Sequence, residues 1–169
     1  MSRFLPVYFM PSSIAHYLVA SVMMRCRPLR NSDERLNHFA AVSAVLLDLD
    51  AVGRPFGFPD IALLGGHRAI THSLVAALCL ALCGVLAIAP TSSNRSIIDL
   101  IFVFCAIASH GLLDTTTVYG EAVWLLWPLS THAVKIAEPL IRGIGDEILI
   151  IWLPAVFLLA VTRRARRSY

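Results

Sequence analysis

The chain alternates long apolar runs with three short polar islands, at Asp48-Leu49-Asp50, His67 to Ser73 and Ser109 to Asp114. Ser12 and Ser13 offer caps for a first helix through Ile14, Tyr17, Leu18, Val22 and Met23, which stops at the basic stretch Arg25 to Arg30 and sets His16 near its first turn. A polar linker, Asn31 to Asn37, leads to the Ala- and Leu-rich segment His38 to Leu47. That segment is too short to cross a bilayer core of ~30 Å, so it is expected to be re-entrant or shielded by other helices. Gly53 to Gly66, rich in Gly and Pro, reads as an irregular loop.

Ile70 to Ala89, free of Asp, Glu, Lys and Arg, is the strongest transmembrane candidate, close to the ~20 residues a spanning helix needs. Ile97 to Leu113 predicts the next helix and Glu147 to Val161 the last, before Arg163-Arg164-Ala165-Arg166-Arg167. Between them, Thr115 to Asp146 carries Trp124, Trp127, Pro128 and Pro139, and it reads as an interfacial segment with aromatic rings at headgroup depth. The pattern predicts an all-α polytopic membrane helical bundle of about four to five apolar helices, with residues 1–169 as a single domain.

Composition agrees: 57% of residues are hydrophobic, above the roughly 45–50% of soluble proteins. A net charge of +3 would suit nucleic acid, but all but one of the 14 basic residues are Arg and they gather beside apolar segments. This is the distribution of membrane flanks, so no nucleic-acid partner is expected. If the helices alternate, Arg25, Arg27, Arg30, Arg35, Arg95 and the tail arginines share one face. The positive-inside rule makes that face and the C-terminus cytoplasmic. His16, Asp48, Asp50, His67, His72, His110 and Asp114 then share the extracytoplasmic face. Cys26, Cys79, Cys83 and Cys105 lack a metal-binding spacing and read as buried small hydrophobes. Pro6, Pro11 and the lack of a small-x-small cleavage site predict that the first segment is retained.

The clustered residues point to a divalent metal. His110 and Asp114, four apart, project from one helical face and can grip one cation. Asp48 and Asp50 are expected in a turn after the helix ends near Leu47, His67 in a loop, and His72 in the first turn of the next helix. Thr71 or Ser73 can cap that helix, and Arg68 suits an anion clamp. A solvated terminus or simple capping explains each piece alone. Together they offer carboxylates to offset charge and imidazoles to donate nitrogen, with room for two or three ions and a phosphoester substrate.

Leu47-Asp48-Leu49-Asp50, His67 to Ser73, His110-Gly111-Leu112-Leu113-Asp114 with Thr117 and Gly120, and Trp127-Pro128 strongly resemble the YdjM family, inner-membrane proteins described as candidate metal-dependent hydrolases. The resemblance covers most of the chain from His16 to Pro128, with Leu47 where the family often has Pro and Ala69 where it often has Gly. The order of ligands is also similar to the helical zinc-dependent phospholipase C and single-strand nuclease superfamily, which carries a multinuclear zinc cluster. That likeness implies His16, Asp48, His67, His110 and Asp114 as the first ligand positions, with His132 and Glu147 as substitutes for ligands otherwise missing.

The expected function is hydrolysis of a lipid or membrane-associated phosphoester by water activated at a metal. Zinc is favoured, with manganese and magnesium open. The metal residues would be His16, Asp48, Asp50, His67, His72, His110 and Asp114. Asp48, Asp50 and Arg68 would act in catalysis, and Thr71, Ser73 and Thr117 would support them. Membrane lipid is the expected partner. The competing readings are a divalent-cation carrier, whose ligands belong near the bilayer midplane, and a membrane protein with a closed structural metal.

Overall fold

A computed structural model describes residues 12–27, 33–51, 67–88, 93–118 and 121–167. The expected loop Gly53 to Gly66, the first eleven residues, Arg30 and Gly120 lie outside them. Most of the described residues are helical; residues 121–143 are irregular, and two isolated β-bridges pair Thr117 with Ile141 and Val123 with Val134. The helices are α1 (Ser13–Arg25), α2 (Glu34–Leu46), α3 (Leu74–Ile88), α4 (Ser93–Thr115), α5 (Ile144–Glu147) and α6 (Leu153–Arg167). A π-helical turn, Ile148–Trp152, joins the last two.

Local chemistry sets the starts. Ser12 caps α1, its hydroxyl accepting from the Ala15 N–H at 3.3 Å. Asp33 caps α2 by accepting from the Arg35 N–H at 2.9 Å, so this helix begins three residues inside the expected linker. Its polar first turn is not a loop: Leu36 and Asn37 are both buried. The stretch Ile70 to Ala89 does not form one spanning helix. It breaks into a 3₁₀ turn, Ile70–His72, and α3, because the Ser73 hydroxyl accepts from the Ala76 N–H at 3.1 Å and starts the α-helix afresh. At 15 residues α3 falls short of span length.

Among the described residues, two helical stretches are long and apolar enough to cross a membrane, Ile97–Thr115 and Ile144–Arg164. Helix α4 is the axis of the bundle and packs on α1, α2 and α3. Its buried stripe runs Val103, Ala106, Ile107, His110, Asp114, so one apolar face turns into the polar site toward its C-terminus. Small residues bring the neighbours close. Gly84 of α3 abuts the Phe39 ring of α2, and Ala20, Ala40, Ala44, Ala77 and Ala81 share the core. Only 17% of the Ile144–Arg164 window is buried, and Leu149, Leu153, Phe157 and Val161 face outward, as lipid contact requires.

Helices α1 and α3 begin, and α2 and α4 end, at the end of the bundle holding His16, Asp48, His72 and His110. Arg25, Arg27, Arg35 and Arg163 lie at the other end, in the predicted opposition of arginines and site. The four cysteines are free as expected, but Cys26, Cys79 and Cys83 are exposed instead of buried. On this bundle, an outward position is an apolar one.

Two buried polar contacts lock the frame. At the arginine end, Arg27 donates to Asp99 at 2.7 Å with both side chains largely out of solvent. At the site end, the Glu147 carboxylate accepts from the Ser12 N–H and hydroxyl and from the Trp152 indole N–H, pinning the start of α1 to the last helix. Removing one member of a buried pair strands the other charge, so Asp99→Ala is expected to destabilise the protein by roughly 3 kcal/mol. Thermal unfolding in detergent measures this, and an unchanged midpoint contradicts it.

Candidate metal centre

Four ligand-type side chains converge where the helices meet: Asp48 from the 3₁₀ turn Leu47–Ala51, His72 from the turn before α3, and His110 and Asp114 from α4. One ligand atom from each lies within 4.8 Å of the others. His72 Nε2 and His110 Nε2 face each other at 2.9 Å. Asp48 Oδ1 stands 3.5 and 3.4 Å from them, and Asp114 Oδ2 stands 3.1 and 3.8 Å away. The (i, i+4) pair expected on α4 therefore shares one site with His72 and Asp48.

Behind this group, Asp50 and Thr71 set the direction of His72. The Thr71 hydroxyl donates to Asp50 Oδ2, and His72 Nδ1–H donates to Thr71 Oγ1 at 2.9 Å. With Nδ1 thus engaged, Nε2 is aimed at Asp48, His110 and Asp114, the outer arrangement that fixes a metal-binding imidazole. Asp50 also accepts from His67 Nδ1 at 2.8 Å, and Asp50, His67 and His72 form a second buried group with ligand spacing. His16 stands beside the first group. Its Nε2 is 3.5 Å from Asp114 Oδ1 and its ring stacks on His110 with centroids 3.8 Å apart.

Burial works against a charge on Asp48, yet hydrogen bonds from His110 and His72 outweigh it and hold the carboxyl well below its usual range. Burial also disfavours charge on His72, and Asp114 and Asp48 outweigh that, raising the imidazole to about 9. The carboxylates draw positive charge to the centre, as a proton or as a cation. The donor set fits a divalent ion: two imidazoles and two carboxylates converge, and Asp114 Oδ2 and the neighbouring His16 Nε2 are buried without hydrogen-bond partners. Stranding such atoms costs about 1–3 kcal/mol each, and a cation repays that for the atoms it ligates.

Arg68 is the largest fully buried side chain among the described residues, with a left-handed backbone at φ 64°. Its Nη1 donates to the carbonyls of Asp114 and Glu121 at 3.3 and 2.9 Å, and its Nε lies 3.4 Å from Asp114 Oδ2. It thus braces Asp114, while its Nη2 has no hydrogen-bond partner. Ser73 caps α3, and the Thr117 hydroxyl donates to the Asp114 carbonyl at 3.1 Å. The structure does not bring the expected substitute ligands to the site: Glu147 is occupied by Ser12 and Trp152, and His132 is exposed.

A residue to which sequence reasoning gave no role completes the site. A Cβ on Gly111 would stand 2.4 Å from the His72 carbonyl oxygen, so only glycine lets the turn carrying His72 lie against α4. Its signal was an isolated Gly inside an apolar helix beside His110. Across the same junction, the Leu74 N–H donates to the Leu125 carbonyl at 2.9 Å and the Trp124 N–H to the Arg68 carbonyl at 3.1 Å. Residues 121–125 are therefore stitched to the site.

The chain matches the family described as YdjM inner membrane protein over residues 10–168. It belongs to the YdjM family. It is also 28% identical to the inner membrane protein YbcI of Escherichia coli (strain K12), over 94% of this chain and 100% of that protein. No solved structure matches. The names describe inner membrane proteins, and the two span-length apolar helices fit that setting.

Gly111→Ala is expected to push the His72 backbone away from His110 and weaken metal retention about 10–100-fold, the usual scale for disturbing a ligand's support. Metal content after dialysis against graded chelator measures it. Full retention would show that the turn does not need this close approach.

Proposed function

We propose that this chain is a metal-dependent hydrolase of phosphoesters embedded in the inner membrane, acting on a lipid or membrane-associated substrate. The observation that carries the proposal is the convergence of Asp48, His72, His110 and Asp114 on one buried point. Zinc suits two imidazoles and two carboxylates. One ion in this group leaves the Asp50–Thr71–His72 link intact, whereas a second ion on Asp50, His67 and His72 would compete for it.

Bound there, the metal supplies a lowered pKa for water and a counter-charge for phosphoryl oxygens. The protein's own groups do the rest. Asp48 is the only member of the group with appreciable exposure, its side chain 21% accessible against 2% or less for the others, so substrate and water approach past it. That open side favours an enzyme over a closed structural metal. Asp48, held as a carboxylate, is placed to orient water by accepting a hydrogen bond from it. Arg68, wholly buried behind Asp114, holds that carboxylate in position. The ligands gather at helix ends and not at mid-helix, which disfavours a carrier.

In the membrane, we place α1 to α4 with α6 as a bundle whose outer surface is lipid-facing. Its arginine end is cytoplasmic and its metal end extracytoplasmic, by the positive-inside rule.

The test is purification in detergent, metal analysis, and assay on a phospholipid and a soluble phosphodiester. Wild type is expected to hold metal and turn over at least one ester. His110→Ala should lose the metal and at least about 100-fold in kcat/KM, a few kcal/mol of transition-state stabilisation. Full metal occupancy with no turnover of any ester would leave the structural-metal reading.

A further inference from the structure

Toward the arginine end, a cleft of about 100 Å³ opens between three helices and contains none of the metal residues. Each helix contributes one stripe: Tyr17, Ser21 and Arg25 from α1, Glu34, Asn37 and His38 from α2, and Leu159 and Arg163 from α6. The spacings (i, i+4, i+8; i, i+3, i+4; i, i+4) put each set on a single helical face. Nothing in the hydrolytic reading uses this cleft.

Its depth is set by the helices that make it. Arg163 lies in the last turn of the span Ile144–Arg164, and Arg25 ends α1. Both guanidinium groups therefore stand at headgroup level, while Tyr17 and Leu159 lie one to two turns deeper. Arg163 is exposed and has no carboxylate partner among the described residues. Glu34 lines the same cleft, its carboxylate accepting from the Asn37 amide at 3.3 Å. Two guanidinium groups and one carboxylate thus line the cleft above a partly apolar floor.

We propose that this cleft binds the headgroup of a membrane phospholipid bearing an ammonium beside its phosphate, the phosphoethanolamine type. Arg25 and Arg163 take the phosphate, which guanidinium matches in charge and fork geometry. Glu34 takes the ammonium, and Tyr17 and Leu159 lie against the glycerol and first methylenes. The lipid joins α6 to α1 and α2, and it needs no metal. Basic pockets between membrane helices are established headgroup sites in general.

The full-length protein in maltoside micelles is titrated with phosphatidylethanolamine, phosphatidylglycerol or phosphatidylcholine, with retained lipid read by native mass spectrometry and stability by thermal unfolding. Wild type is expected to retain phosphatidylethanolamine best and to gain stability with it. Arg163→Gln, at an exposed helix end, should lower retention of phosphatidylethanolamine about tenfold, and Glu34→Gln should erase its advantage over phosphatidylglycerol. Soluble phosphoethanolamine should stabilise far less than the lipid. Unchanged retention in Arg163→Gln would overturn the site. Equal retention of the three lipids by wild type would overturn the assigned headgroup. Equal stabilisation by soluble phosphoethanolamine would overturn the lipid as its source.

Discussion

The structure is organised around a charge problem. Two aspartates, four imidazoles and one guanidinium are buried together at one end of a largely apolar bundle, with the partly exposed Asp48 beside them, where unpaired charge is expensive. The solution is mutual: Asp50 holds His67 and, through Thr71, His72. Asp114 is held by Arg68 from behind and faces His16, His72 and His110. Asp48, His72, His110 and Asp114 still bring one ligand atom each to a common point, which gives the polar cluster the character of a cation site.

The helix packing serves this convergence. Each of α1 to α4 brings a terminus to the same end, and a terminus is where a chain can turn out of regular helix to aim a side chain. The two 3₁₀ turns do that for Asp48, Asp50 and His72. Alanines and Gly84 bring the helices close enough for short Asp and His side chains to meet, and Gly111 removes the last obstacle between two backbones. From the left-handed Arg68 the side chain runs beneath Asp114 while the carbonyl accepts from the Trp124 N–H. Strain of about 1–3 kcal/mol at such a residue persists only where its contacts hold it.

The opposite end has a complementary economy. Arg27 is buried against Asp99, while Arg163 remains exposed at the rim. One arginine closes the bundle, and the other stays at its exposed rim. The bundle is therefore polar at both ends for different reasons: a His and Asp cluster that could hold a metal ion at one, and a buried Arg–Asp pair with exposed arginines at the other.

The sequence alone determined the helical class, the opposition of arginines to site, and the partnership of His110 with Asp114, because these follow from hydropathy, charge and the 3.6-residue period. It also named the family, through motifs whose order is more specific than any piece. It misjudged where α2 begins and read Ile70 to Ala89 as one span, because a capped polar turn and a site-bound turn look respectively like linker and helix. Only the tertiary structure decided that Asp48 and His72 share a point with His110 and Asp114, that Asp50 acts through Thr71, and that Arg68 lies buried behind Asp114. It also showed Glu147 occupied with Ser12, and Gly111 as the residue that admits His72. These are distances between segments far apart in the chain, and periodicity carries no information about them. They depend on which helix ends meet and how closely the backbones approach.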